Sequence, residues 1–309
     1  MLKSKHLIGL ENFPTSDLNK IIDTSFKFKE ILESPERKAI LLKGKTIVNM
    51  FFEDSTRTKI SFTLAEKRLG ADSIKFSSST SSVKKGETLK DTIQNIDAMK
   101  IDGAVIRHGH PGSALKLTEY IDGSVINAGD GSHEHPTQAI LDMVTLKEKF
   151  GKIKNLKVGI IGDILNSRVA RSDIFALQKL GAEIVVCGPS TLLPSNAKQL
   201  GVNITHNIDE VLNWCDVVIG LRIQLERMHL GRIPSKREYH SEFGLTYERV
   251  SKLKKDVVIM HPGPMNRGVE IDSKVADSDN AVILDQVLNG VASRMSILYL
   301  LLGDKSEKL

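Results

Sequence analysis

Apolar residues along this chain follow two spacings, one typical of strands and one typical of helices. The run 44–50 is short, apolar and opened by a glycine, which predicts a buried strand. Beyond it, apolar residues recur at helical spacing from Ile60 to Leu69, and Gly70 ends the pattern. The same reasoning predicts further strands at 72–76, 104–108, 124–129, 156–163, 184–187, 217–221 and 256–260. It predicts further helices at 13–34, after residue 136, at 169–180 and, as an amphipathic helix, at 286–302.

Strands and helices alternate over the whole length, which predicts an α/β fold with parallel sheets. A chain of 309 residues is long enough for two domains. We expect two doubly wound parallel-sheet domains joined by crossing helices, namely the helix after residue 136 and the C-terminal helix. The expected first domain covers residues 1–145 and is completed by the C-terminal helix at 286–305, and the expected second domain covers 146–285.

Composition narrows the class of protein. The chain is 40% apolar and 26% charged, as in ordinary globular proteins, and no apolar run approaches the ~18 residues of a membrane span. The N-terminus lacks a signal-peptide pattern and the two cysteines cannot form a disulfide framework, so we expect a cytoplasmic protein. The net charge is +5, the basic residues are scattered among acidic ones, and only 5% of residues are aromatic. Small anionic ligands explain this balance as well as nucleic acid does, and composition alone does not decide.

A hydroxyl-rich segment stands where the first predicted strand passes into the next helix. It contains Ser55, Thr56, Arg57 and Thr58. Unpaired backbone N–H groups and the positive end of the helix dipole meet at such a helix start, which favours an anion. Serine and threonine are also ordinary helix caps, so a plain capping segment is the alternative. Arginine in a first turn is unfavourable for the dipole but suits phosphate oxygens, and we therefore favour an anion site.

Arg168 occupies a similar position, just before the helix predicted at 169–180. A Rossmann dinucleotide site is the rival interpretation here, and it needs a G-x-G-x-x-G turn with an acidic residue about 20 positions further on. The turn after Gly162 has no glycine pair, and the next strand ends in Cys187 and Gly188 without a carboxylate. We therefore expect Arg168 to bind an anion instead.

Histidines cluster after two other predicted strands, at His108, His110, His133 and His135. Zinc sites usually add cysteine or a third fixed ligand, and the His-x-x-x-His pairing on a helix is absent. The pattern therefore favours no metal. We expect His135 to act as a hydrogen-bond donor, with Pro136 fixing the start of the following helix.

Two polar stretches carry further candidate groups. The serine-rich loop at 77–88 includes Lys85, and a solvated connection is the alternative to a role in binding an anion. The stretch 222–244 is expected to be a long polar loop that opens with Arg222 and Gln224 directly after a buried strand. A charged surface excursion is the alternative for this second loop.

Residues 55–58 resemble the phosphate-binding signature of the aspartate and ornithine carbamoyltransferase family. Four more segments resemble signatures of that family in the family's order, at 81–88, 135–138, 222–227 and 261–264. The ornithine branch has a cysteine in the last of these turns and a Ser-Met-Gly loop before it. Here the turn reads His-Pro-Gly-Pro and the loop carries Arg222 and Gln224, so the resemblance implies the aspartate branch. In the bacterial pattern of this turn, leucine follows the first proline, and here that residue is Gly263. If the residue acts through its backbone carbonyl, the side chain should matter little.

The resemblance implies transfer of a carbamoyl group from carbamoyl phosphate to the amine of L-aspartate, without a metal or an organic cofactor. The residues that it assigns to carbamoyl phosphate are Ser55, Thr56, Arg57, Thr58, Arg107, His135, Gln138, Pro262, Gly263 and Pro264. The catalytic residues among them are Arg57, Thr58, Arg107 and His135. The residues that it assigns to aspartate are Lys85, Arg168, Arg222 and Gln224.

The resemblance also implies an early step of de novo pyrimidine biosynthesis and a homotrimer in which Lys85 enters the site of a neighbouring subunit. It implies no nucleic-acid or membrane partner, and the sequence leaves open whether regulatory chains bind. Two alternatives to this function stay open. One is a carbamoyltransferase for another amine, such as ornithine, and the other is a non-catalytic regulator that binds a phosphometabolite.

Overall fold

The structure is a computed structural model that describes residues 1–77, 88–195, 197–224, 235–253 and 256–304. The chain divides into two compact units. The first unit comprises Met1–Val144 together with the C-terminal residues from Leu288, and the second comprises Thr145–Val287.

Helices and strands alternate through both units. The helices are α1 (Thr15–Glu33), α2 (Thr56–Leu69), α3 (Leu89–Asp97), α4 (Ser113–Leu117), α5 (Pro136–Phe150), α6 (Arg168–Lys179), α7 (Ile208–Trp214), α8 (Lys236–Phe243), α9 (Tyr247–Ser251), α10 (Ser273–Ala276) and α11 (Ile283–Leu302). The strands are β1 (Thr46–Phe51), β2 (Asp72–Ser77), β3 (Gly103–His108), β4 (Ser124–Asp130), β5 (Lys157–Ile161), β6 (Glu183–Cys187), β7 (Asn203–Thr205), β8 (Val217–Gly220) and β9 (Val258–Met260). The chain passes between the two units within α5 and again within α11.

The first unit contains a parallel sheet with the strand order β2-β1-β3-β4. In β1, five of the six residues are buried, and all seven residues of β4 are buried. Such continuous burial is typical of parallel strands that are covered on both faces, and it explains why their sequences lack apolar-polar alternation. The core of this unit includes Val48, Met50, Ile93, Ala104 and Ile106.

The second unit contains a parallel sheet with the order β7-β6-β5-β8-β9. Its core joins Ile161, Val218 and Ile259 of the sheet to Val211 of α7. The fold class expected from the pattern is thus confirmed, since both units are α/β with parallel sheets. In both sheets, the carboxyl ends of neighbouring strands lie at one edge, which is where open α/β sheets place their ligands.

The expectation of an unbroken polar loop from residue 222 to residue 244 is wrong, because α8 occupies part of it. Ser235 is the N-cap of α8, and its hydroxyl accepts a hydrogen bond from the backbone N–H of Glu238 at 3.0 Å. Tyr239 is buried against Leu192 and Ile223. A serine followed three residues later by glutamate is a helix-start signal, so the sequence did contain the information.

The C-terminal helix α11 is not amphipathic along its length, which corrects a second expectation. It starts three residues earlier than predicted, and every residue at 289–300 is buried. This part of α11 is therefore enclosed on all sides, and the enclosed residues include the polar or charged Asn289, Ser293, Arg294 and Ser296. Besides α8, several short elements were not predicted, namely β7, α3, α4, α7, α9 and α10. The three residues of β7 are exposed or half-buried, so the strand has no apolar pattern to detect.

Candidate functional site

Residues 55–58 form the passage from β1 into α2, as the pattern predicts. Thr58 is buried, Ser55 is half-buried, and Thr56 and Arg57 are exposed. Ser55 is the N-cap residue of α2, yet its side chain makes no capping hydrogen bond. By contrast, the N-cap residue Ser167 of α6 does accept such a bond. The start of α2 thus does not use the Ser55 hydroxyl as a cap, which removes the support for a plain capping segment at this residue.

Arg107 lies at the carboxyl end of β3, beside the same passage. It is the register partner of Phe51 in β1, and its carbonyl oxygen accepts from the backbone N–H of Phe52 at 2.9 Å. Its Nη1 donates to the carbonyl oxygen of Ala128 at 3.4 Å, and its Nε lies 3.6 Å from Oε2 of Glu53. The guanidinium is therefore oriented by β4 and by the segment that follows β1. Glu53 was not singled out from the sequence, although it stands two residues before Ser55.

His135 and Gln138 lie at the start of α5, which follows β4. Both side chains are largely buried, with 4% and 9% of their surfaces exposed. The backbone N–H of Gln138 donates to the carbonyl oxygen of His135 at 3.0 Å. This bond forms the first turn of α5 and fixes the spacing of the two side chains.

The loop between β4 and α5 is organised by a buried carboxylate, that of Asp130. Its oxygens accept from Nδ2 of Asn127 and from the backbone N–H of Gly112, both at 2.8 Å. The ring nitrogen Nδ1 of His133 lies 3.1 Å away. Burial alone would raise the pKa of Asp130, but hydrogen bonds from His133 and Asn127 outweigh it and hold the pKa below its usual value. The ionised carboxylate thus sets the path of the chain that leads to His135.

The candidate groups of the first unit consequently follow three adjacent strands. Ser55 follows β1, Arg107 ends β3, and His135 follows β4, and these strands are neighbours in the sheet. The carboxyl ends of adjacent parallel strands share one edge, so the sheet collects a cation, hydroxyls and a histidine there. Such a donor set is suited to an anion that also carries a polar carbonyl group.

The candidate groups of the second unit are arranged in the same way. Arg168 is the first residue of α6, after β5, and its surface is 6% exposed. Arg222 and Gln224 follow β8 and are half-buried on either side of the fully buried Ile223. The turn at 261–264 follows β9, and β5, β8 and β9 are adjacent in the sheet. This edge brings guanidinium groups and a rigid turn together.

The turn at 261–264 is held by a buried side chain, that of His261. Its Nδ1 accepts from the backbone N–H of Gly263 at 2.8 Å, so the ring proton lies on Nε2, which is 3.3 Å from Oε1 of Glu270. Gly263 has a φ of 64°, a conformation that favours glycine. Asn266 donates its side-chain amide to the carbonyl oxygen of Ile223 at 2.9 Å, which ties this turn to the segment of Arg222 and Gln224. Glu270 and Asn266 were not found from the sequence, because neither stands in a signature.

Several expectations fall outside the described residues. Lys85 and the serine-rich loop around it belong to this group, as do Glu226 and Arg227. Within the described part of the chain, no group of three or more His, Cys, Asp or Glu side chains could hold a metal ion. Among the described helices, none combines the length and the apolar character that a membrane crossing requires.

Comparison with known proteins identifies relatives along both units. Residues 5–148 match the family model described as the carbamoyl-P binding domain of aspartate/ornithine carbamoyltransferase, and residues 154–301 match the model of its Asp/Orn binding domain. The chain is 55% identical over 300 residues to the aspartate carbamoyltransferase catalytic subunit of Christiangramia forsetii, which covers 97% of each chain. It is 54% identical over 304 residues to that of Cytophaga hutchinsonii, which covers 98% of this chain and 99% of the relative.

A solved structure gives the same result. The aspartate transcarbamoylase of Trypanosoma cruzi in complex with carbamoyl phosphate is similar with a TM-score of 0.90 and 29% identity, over 98% of this chain and 97% of the other. Both the sequence matches and the structural match extend over almost the whole chain. The chain therefore belongs to the aspartate/ornithine carbamoyltransferase family.

Proposed function

We propose that this chain is an aspartate carbamoyltransferase. It transfers the carbamoyl group of carbamoyl phosphate to the amine of L-aspartate and releases N-carbamoyl-L-aspartate and phosphate. The observation that carries the choice of amino acid is the pair Arg168 and Arg222, which follow the adjacent strands β5 and β8. Two guanidinium groups match the two carboxylates of a dicarboxylic amino acid, and Gln224 adds a further polar contact. The names of the relatives at 54–55% identity support the same choice.

Carbamoyl phosphate is assigned to the groups that begin α2 and α5 and that end β3. Arg57 binds the phosphate, together with the hydroxyls and backbone amides of Ser55, Thr56 and Thr58. Thr58, Arg107 and His135 donate to the carbonyl oxygen. The groups that accept from the carbamoyl NH₂ are the side chain of Gln138 and the backbone carbonyls of the Pro262–Gly263–Pro264 turn.

The reaction needs positioning and charge stabilisation more than a protein base. The aspartate nitrogen attacks the carbamoyl carbon, a C–N bond forms, and the carbonyl oxygen gains negative charge in a tetrahedral intermediate. Thr58, Arg107 and His135 stabilise that oxyanion, which is typically the largest catalytic contribution. The C–O bond to phosphate then breaks, phosphate leaves with the electron pair, and it takes the proton of the amine. The protein supplies the geometry for both steps.

Assembly and cellular context are part of the same proposal. Lys85 completes the site of a neighbouring subunit in a homotrimer, since the family lends this loop across the subunit interface. A closed ring of three follows from a heterologous contact of this kind. The reaction belongs to pyrimidine biosynthesis in the cytoplasm, and binding of regulatory chains is left open.

A colorimetric assay for ureido products, with purified protein and a panel of amines, tests the proposed function. L-Aspartate should give product that depends on carbamoyl phosphate, and L-ornithine should give none. If L-ornithine gives product and L-aspartate does not, the chain is assigned to the ornithine branch of the family instead. Binding of carbamoyl phosphate without any ureido product would favour the non-catalytic regulator.

A further inference from the structure

The first unit contains a buried polar cluster close to α2, the helix whose start carries the residues assigned to phosphate. It joins α2, α5 and α11 through Gln138, Asp142 and Arg294, of which 9%, 0% and 3% of the surface is exposed. Charged groups with so little exposure are rare unless they are paired. Apart from Gln138, none of these residues has a part in the proposed function. The cluster therefore needs an explanation of its own.

Asp142 fixes the orientation of the Gln138 side chain. The amide Nε2 of Gln138 lies 3.2 Å from Oδ1 and 3.3 Å from Oδ2 of Asp142, which is four residues further along α5. A carboxylate only accepts hydrogen bonds, so it selects the amide nitrogen of Gln138 over the amide oxygen. The oxygen Oε1 must then face away from Asp142, and it becomes the atom offered to a ligand donor.

Arg294 supplies a counter-charge and joins the helices. Its Nη1 donates to the hydroxyl of Ser61 in α2 at 3.2 Å and to the carbonyl oxygen of Gly290 at 2.8 Å. Its guanidinium lies over the ring of Phe62, 5.1 Å from the ring centre. A Cβ at Gly290 would lie 2.8 Å from Nη1, so the absence of a side chain at that position makes room for the guanidinium. Burial lowers the pKa of Arg294 to about 10, and the negative charge of Asp142 opposes this fall.

We propose that Asp142 is a positioning residue for carbamoyl recognition. It turns the amide nitrogen of Gln138 inward, so that Oε1 accepts from the carbamoyl NH₂, while Arg294 compensates its charge and links this geometry to α2. The inference rests on the proposed function, because it assumes that Gln138 receives the carbamoyl group. It adds that the amide orientation is imposed by α5 itself, before any ligand binds.

The test compares two ligands that differ in the carbamoyl group. Dissociation constants of carbamoyl phosphate and of inorganic phosphate are measured by calorimetry for the wild type, Asp142→Asn, Gln138→Ala and the double variant. The expected result for Asp142→Asn is a carbamoyl phosphate constant about threefold to tenfold higher, the range of one hydrogen bond, with an unchanged phosphate constant. The double variant should bind no more weakly than Gln138→Ala alone, because Asp142 acts through Gln138.

A structural role would give a different pattern. Equal weakening of both ligands, or losses that add in the double variant, would overturn the inference. Asp17→Asn is the matched control, since this other buried carboxylate of the first unit accepts from Ser4 and the backbone N–H of Lys3. It should leave both constants unchanged.

Two further outcomes are separable. If the lone charge of Arg294 prevents Asp142→Asn from folding, the variant Asp142→Asn/Arg294→Met removes both charges, and the same ligand comparison applies. In that variant, an unchanged carbamoyl phosphate constant would overturn the inference. If the wild type binds phosphate but shows no added affinity for carbamoyl phosphate, the proposed function fails and the inference fails with it. If Asp142→Asn keeps the wild-type preference for carbamoyl phosphate over phosphate, the inference is overturned while the proposed function stands.

Discussion

Asn49 of β1 donates its side-chain amide to both carboxylate oxygens of Glu66 in α2, at 2.9 and 2.8 Å. Ser73 of β2 donates its hydroxyl to the same carboxylate. Glu66 is fully buried, and burial raises its pKa to about 7, although the bonds from Ser73 and Asn49 and the charge of Lys75 act in the opposite direction. The helix that carries the anion-binding residues at its start is thus anchored to the sheet by a group that titrates near neutral pH.

Because the pKa of the buried Glu66 is raised, we predict that the free energy of unfolding falls as the pH rises. The folded-state pKa of Glu66 is about 7, above the ordinary value of 4.5 for a glutamate, so the folded state holds the proton more tightly than the unfolded state. The contribution of Glu66 to the free energy of unfolding is fully present below its pKa in the unfolded state. It is lost between about pH 4.5 and 7, by roughly 3 kcal/mol at most. Glu66→Gln should remove this slope in denaturant unfolding measured from pH 5 to pH 8. The exposed Glu33→Gln should keep it, and a slope that survives in Glu66→Gln would refute the assignment.

Arg57→Ala should lower kcat/KM for carbamoyl phosphate by at least about a hundredfold, because the removed guanidinium binds a charged ligand group. The side chain is exposed, so the free energy of unfolding should change by less than about 0.5 kcal/mol. Lys67→Ala, an exposed cation in the last turn of the same helix, serves as the control. Steady-state kinetics and urea unfolding measure the two effects. Turnover equal to that of the wild type would exclude Arg57 from the phosphate site.

Arg222→Ala should raise the KM for L-aspartate roughly thirtyfold or more, the range of a lost charge-assisted contact, and Gln224→Ala should raise it less. Succinate, which lacks the nucleophile, should compete with L-aspartate. L-Ornithine should not, since its second ammonium would meet guanidinium groups. Arg237→Ala, an exposed cation of α8 in the same unit, should leave the KM unchanged. Inhibition by ornithine as strong as inhibition by succinate would contradict the assignment of Arg222 and Gln224.

Lys85→Ala and Arg57→Ala proteins should each be almost inactive, yet activity should return when they are mixed, dissociated and reassociated. In a ring with shared sites, some sites of the hybrid trimers combine an intact Lys85 with an intact Arg57. Recovered activity is measured with the ureido assay, and light scattering confirms a mass three times that of one chain. The control is a mixture of Lys85→Ala with Lys67→Ala, which should behave like the wild type. The activity of this mixture after dissociation and reassociation measures the yield of reassembled trimers. Hybrid trimers without recovered activity would show that Lys85 acts within its own chain.

The strands that carry the site could be predicted from the sequence with little error. β8 is an apolar run, and β1 is mainly apolar, with Thr46 and Asn49 as its polar residues. A buried strand of a parallel sheet can be recognised from its own sequence. Residues after these strands, such as Arg57 and Arg222, could be selected because a cation is unusual in the first turn of a helix or directly after a buried strand. Short or polar elements were missed. The helix α8 buries mainly Tyr239, so its periodicity is weak.

Which side chains stand after which strands could be read from the sequence, because that depends only on local spacing. The sequence did not determine that Arg107 lies beside the end of β1, from which residues 55–58 follow. That neighbourhood arises because β3 pairs with β1 on the side opposite β2, and hydrogen bonds between strands distant in the chain leave no local pattern. The burial of Glu66, Asp142 and Arg294 likewise depended on the tertiary structure. A charged residue in an amphipathic sequence is expected at the surface, and only the packing of three helices and a sheet shows that these charges are enclosed.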